Sequence, residues 1–312
     1  MSEVLPDPTA ALPPGRPDRG ALLRALWAES AIRFGGVLVV LVVLTALLAP
    51  VVAILVGHGP TEQFRTYGLD QAGIPVGPST AFWLGADGEG RDVLVRTLYG
   101  AQASLLVGIP ATTLSMLFGT TVGLLAGFAG GNIDRIVSQI VNVVLSFPFV
   151  VTALSLLVLN RDTSGRPVVS PIVVVVLIIS AFSWTYFARL VRGMTLTLRS
   201  RPFVDAAITA GASRGYILFK EILPNVFPVV AVYWAVQLPV NIVAEATLSF
   251  LGVGVQAPTP SWGNMIADAQ RTSLYQVQPW FLLGPAIALL ITVLGFNAFA
   301  DGLRNVLDPG RR

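Results

Sequence analysis

Six uncharged stretches, at 36–56, 105–128, 136–159, 171–188, 226–244 and 280–300, leave this chain few ways to fold. A helix needs roughly 20 residues to cross a bilayer, and each stretch is about that long. Composition agrees: 54% of the 312 residues are hydrophobic and only 12% charged. A soluble domain cannot hide so much apolar surface. The reading is an all-α membrane protein with six transmembrane helices. The first stretch is too long for a secretory signal and lacks a convincing cleavage site, so it reads as a retained span.

Arginine placement orients the set. Six of the twenty Lys and Arg residues, Arg65, Arg91, Arg96, Arg161, Arg166 and Arg271, fall on the external side if the N-terminus lies inside. The remaining fourteen fall on the cytoplasmic side, the bias that positive-inside topology demands. Both termini are then cytoplasmic. Residues 1–20, with Pro6, Pro8, Pro13, Pro14 and Pro17, read as a disordered cytoplasmic tail, and 305–312 as a second tail. Residues 21–34 place Leu22, Leu26 and Trp27 near one helical face, which suits either an interfacial helix or the start of the first span. The organisation expected is that helix, the first span and an external segment over 21–100, then a five-span core over 101–304.

One polar island stands out, at 200–224. Phe203 to Ala210 forms helix well, Gly211 breaks it, and Ser213 can cap a second helix ending at Pro224. Ala206, Ala207 and Gly211 strip one surface of bulk, so a partner's groove could approach the backbone closely. The same residues would also serve an ordinary helix–turn–helix connection.

Other polar residues are few. Glu245 is the one carboxylate near the interior of a span, a costly place for charge. Counted from Val226 it lies about 30 Å along the helix, near the outer interface, so pairing with an external arginine is expected. Asp87, Glu89, Arg91 and Asp92 sit among glycines without the ligand ladder of a calcium loop, and a salt-bridged turn is expected there. Pro110 and Pro148 lie inside spans, where kinks are common. The sole lysine, Lys220, lies between Phe219 and Glu221, so no phosphate-binding Gly-Lys-Ser/Thr loop exists here. Cysteine is absent and His58 is the single histidine, which removes thiolate metal sites and zinc-protease or histidine-based chemistry. No catalytic or metal-binding residue is assigned.

These residues recur as a set. Phe82-Trp83-Leu84-Gly85-Ala86-Asp87-Gly88-Glu89-Gly90-Arg91-Asp92, Gly127-Phe128-Ala129-Gly130-Gly131 with Ser146-Phe147-Pro148, Glu245-Ala246-Thr247-Leu248-Ser249-Phe250-Leu251-Gly252, Pro258-Thr259-Pro260-Ser261-Trp262-Gly263 and Asp301-Gly302-Leu303-Arg304 resemble the signatures of dipeptide/oligopeptide/nickel ABC importer permeases, C-type subunit. The island at 200–224 resembles their EAA coupling loop, with Asp205 where the family usually has glutamate. The resemblance implies the type I ABC importer permease fold and a bacterial inner-membrane location. It implies ATPase coupling through Asp205, Ala206, Ala207, Gly211, Ala212, Ser213, Leu223 and Pro224. Asp87, Arg91, Asp92 and an exposed Trp262 would contribute to docking a substrate-binding protein. It also implies a homologous second permease, two ATPase subunits or domains carrying ATP and Mg, contact with membrane lipid, no cofactor on this chain and no nucleic acid. Family members carry peptides, nickel or glutathione. An ion-coupled secondary transporter is the competing class, and would call for broken helices or paired intramembrane carboxylates in repeated halves. Only Glu245 qualifies, and no repeat is visible.

Overall fold

The computed structural model describes residues 19–307, so most of the tail expected at 1–20, together with 308–312, lies outside the described residues. Regular structure among the described residues is helical, with three isolated β-bridges in the connecting segments. Helix α1 (Arg19–Ala28) breaks at Glu29, whose backbone is extended, before α2 (Ser30–Val56) begins. The break divides the two readings of 21–34: a separate short helix precedes the span, and Phe34 already belongs to the span.

Asp92 starts the next element. Its side chain accepts from the Val95 amide at 3.0 Å and caps α3 (Val93–Ala129), 37 residues long. A boundary at 100/101 therefore falls inside a continuous helix. The capping carboxylate welds the external segment to the core. Pro110 also lies within α3 and does not end it.

The third stretch is not one helix. Helices α4 (Gly131–Ser146) and α5 (Phe149–Leu159) meet at an 81° bend. Pro148 has no amide to donate, and its ring pushes Phe147 into an extended conformation (φ −81°, ψ 129°). Among the described residues five helices are long and apolar enough to cross a membrane on their own, or six if this broken pair counts as one span.

Helix α6 (Pro171–Leu198) packs closely along α3. Gly119, Gly123 and Gly127 lie one turn apart on α3, and a Cβ at each would come within 2.4–2.9 Å of the α6 backbone oxygens of Trp184, Ala188 and Arg192. Lipid supplies little hydrophobic drive between helices, so backbone approach of this kind holds them together.

Helix α7 (Pro202–Thr209) and α8 (Arg214–Tyr216) follow. A π-helical turn at Ile217–Ile222 then leads into α9 (Leu223–Phe250). The second helix does not end at Pro224, as expected from sequence, but runs unbroken from Arg214 to Phe250. The Leu223 amide reaches back five residues to the Leu218 carbonyl. That wider turn shifts the hydrogen-bond register just before the proline, so its missing donor breaks nothing. Helix α10 (Trp262–Thr272) is amphipathic, and α11 (Trp280–Leu307) closes the bundle against α2. It runs past the boundary expected at 304.

Candidate functional site

Two polar regions occupy opposite ends of α3. Arg199 donates to the Gly127 carbonyl at 3.0 Å and marks one end, while Arg96 marks the other. The 31 residues between Arg96 and Gly127 rise about 46 Å.

The 200–224 segment is built as a rigid knob. Gly211 sits in the left-handed region (φ +80°). Its amide bonds the Ile208 carbonyl at 2.9 Å, and the Ala212 amide bonds Ala207 at 3.0 Å. These two bonds make a Schellman cap on α7, which needs a glycine-like residue at this position. Ser213 then caps α8, its hydroxyl accepting from the Tyr216 amide at 3.2 Å. Underneath, Val204, Ile217, Leu218 and Ile222 are buried with Leu124 of α3, Phe187 and Val191 of α6 and Val226 of α9. A push on the knob is thereby a push on three spans.

The candidate coupling residues divide by face. Asp205, Ala206, Gly211, Ser213 and Pro224 are exposed. Ala207, Ala212 and Leu223 are half-buried and pack on the knob's own core. Ala207 thus packs α7 onto its base. A Cβ at Gly211 would meet nothing within 4 Å, so the outer surface is open and only backbone strain forbids a side chain. Phe203, Ile208, Tyr216 and Phe219 add exposed apolar surface nearby. Nothing in the span pattern signals that these four face outward.

The opposite end is inverted in character. Asp87 (1% exposed), Arg91 (5%), Asp92 (0%) and Trp262 (1%) are all buried. Asp87 accepts from the Glu89 and Arg91 amides, each at 2.9 Å, and from Arg91 Nε at 2.6 Å; Arg96 Nε lies 3.3 Å away. Arg91 also faces Asp268 of α10 at 3.7 Å. Burial pushes the Asp268 carboxyl up, against the pull of Arg91 and Arg96. His58, which carried no motif, places Nδ1 2.7 Å from Asp92 and packs between Phe64 and Phe82. The Trp262 indole donates to the Thr97 carbonyl at 2.9 Å across the face of Gly100. The expectation of an exposed Trp262 is corrected, whereas the salt-bridged turn expected around Asp87 and Arg91 is present. These side chains form an internal clasp, because charges and an indole this desolvated must satisfy one another.

Glu245 also departs from expectation. No arginine pairs with it in the salt bridges of the described residues. Ser104 of α3 donates to it at 2.9 Å and Ser249 at 2.7 Å. Sequence reasoning stopped at this carboxylate and missed the stripe containing it. Gln237, Asn241, Glu245 and Ser249 recur every fourth residue and are all buried. Asn241 bonds Thr112 of α3 and Ser183 of α6, each at 2.8 Å. The four-residue spacing within an apolar helix was the available signal.

Comparison with known proteins places this architecture. Residues 119–312 match the family described as binding-protein-dependent transport system inner membrane component. The oligopeptide transport system permease protein OppC of Haemophilus influenzae is 40% identical over 230 residues, 74% of this chain and 71% of that one. The glutathione transport system permease protein GsiD of Pectobacterium atrosepticum is 39% identical over 233 residues, 75% of this chain and 74% of its own. OppC of Bacillus subtilis matches 92% of this chain and 91% of its own at 34% identity. Among solved structures, an inward-facing MetNI methionine ABC transporter superposes with TM-score 0.52 at 20% identity, over 68% of this chain and 96% of that one, and so shares the type I importer permease fold. The chain is therefore a multi-pass ABC transporter permease, a member of the family of binding-protein-dependent transport system inner membrane components.

Proposed function

We propose that this permease is the C-type subunit of an importer for di- or oligopeptides. It forms half of the pathway beside a homologous second permease. Two ATPase subunits or domains, holding ATP and Mg, dock on 200–224 from the cytoplasm, and a substrate-binding protein delivers cargo outside. Both termini are cytoplasmic. The observation that carries this reading is the Schellman-capped knob. It presents Asp205, Ala206 and Gly211 outward on a base packed into α3, α6 and α9. A groove on an ATPase that gripped this knob would move three spans together. The relatives' names favour peptides, and glutathione is itself a tripeptide.

Reconstitution tests the reading. Labelled tripeptide should enter proteoliposomes only when the second permease, the ATPases, the binding protein and ATP are all supplied. Uptake driven by an ion gradient through this chain alone would support a secondary transporter instead. Because the chain lacks cysteine, single cysteines report topology cleanly. Position 89 should react with an impermeant maleimide in intact cells and position 213 should not.

A further inference from the structure

We propose that the chain binds one anionic phospholipid in a groove between α1, α2 and α11. The groove encloses about 630 Å³ and is lined almost wholly by apolar side chains. Val37, Val40, Leu41 and Leu44 form its wall, one face of α2 at spacings of three and four residues. Phe299 of α11 and Trp27 of α1 complete the lining, and Trp27 is 75% exposed. Arg33 is the charged residue in the lining, and it makes no ion pair among the described residues. Glu29, the nearest carboxylate along the chain, is engaged by Asn305 at 3.2 Å.

Depth and charge select the occupant. From Arg33 to Leu44 the helix rises about 16 Å. That is close to half the ~30 Å hydrocarbon thickness, the depth of one leaflet. A guanidinium at the headgroup end of a leaflet-deep apolar trough suits a phosphate with an acyl chain below it. Gly36 lies in the trough, and a Cβ there would meet nothing within 4 Å. The missing side chain leaves room that the protein itself does not fill. The exposed Trp27 lines the same groove as Arg33, and tryptophan favours the headgroup level of a bilayer. The site needs only the membrane placement of α2. Its assignment to the cytoplasmic leaflet rests on the topology proposed above, which the cysteine labels test separately.

The open space at Gly36 permits a clean experiment, since Gly36→Leu puts a side chain into the trough at a point where its Cβ meets no protein atom. The assembled transporter would be purified from nanodiscs of mixed phosphatidylglycerol and phosphatidylcholine and its retained lipids counted by native mass spectrometry. The wild type should retain one more phosphatidylglycerol per copy than Gly36→Leu. Arg33→Gln should lower the preference for phosphatidylglycerol about fivefold, and Arg33→Lys should restore most of it. Equal lipid retention in the wild type and Gly36→Leu would overturn the proposal, as would a wild type without headgroup preference. A cysteine at position 37 that crosslinks efficiently to the second permease would also overturn it, because protein would then fill the groove.

Discussion

The two ends of α3 handle polar residues in opposite ways. At the clasp, Asp87, Arg91, Asp92 and Arg96 are buried and bonded to one another, to backbone and to α10. At the knob, Asp205 and Gly211 are exposed, and the space beside Gly211 is open. Both segments are polar and glycine-rich, and both interrupt apolar spans. The difference lies in where the polar groups find partners. Those of the clasp are satisfied within the chain, which fixes that end of the spans. Those of the knob face outward on a rigid base, which suits them to a second protein.

The comparison breaks first at Asp87. Asp87→Ala leaves buried Arg96 without its carboxylate and Arg91 with only its longer contacts to Glu89 and Asp268, and should cost about 3–5 kcal/mol, seen as a large drop in the midpoint of thermal inactivation. Trp262→Ala, by emptying a fully buried site, should cost about 3 kcal/mol in the same assay. At the other end Asp205→Asn should leave thermal stability unchanged and weaken ATPase assembly by no more than about 1 kcal/mol, since a single exposed ion pair contributes little. If Asp205→Asn matched Asp87→Ala in either assay, the two ends would not differ as described.

Much of this was legible in the residues. The spans, the polar island at 200–224 and the break at Gly211 all follow from runs of apolar residues and one glycine. Burial at the clasp was not legible, because it arises only when α10, which begins at Trp262, packs against α3 and the segment around Asp87. The broken third span was half visible: Pro148 signals a kink, but an 81° bend depends on how α4 and α5 pack afterwards. The unbroken helix past Pro224 was hidden for a related reason. A π turn that repairs a proline shows no period of its own. Asn241 escaped notice as an isolated polar residue, and only its contacts with Thr112 and Ser183 reveal the stripe.

Coupling through the knob is tested most directly at Gly211. The residue occupies a left-handed conformation in open space, so substitution there changes backbone strain and nothing else nearby. A β-branched side chain resists that conformation at a cost of roughly 1–3 kcal/mol, whereas asparagine tolerates it. Tripeptide uptake per ATP hydrolysed should be compared between reconstituted Gly211→Val and Gly211→Asn transporters of equal assembly. Gly211→Val should hydrolyse ATP with uptake reduced at least tenfold, roughly what 1.4 kcal/mol of lost coupling produces, while Gly211→Asn stays near wild type. Full uptake by an assembled Gly211→Val transporter would contradict the assignment of coupling to this loop.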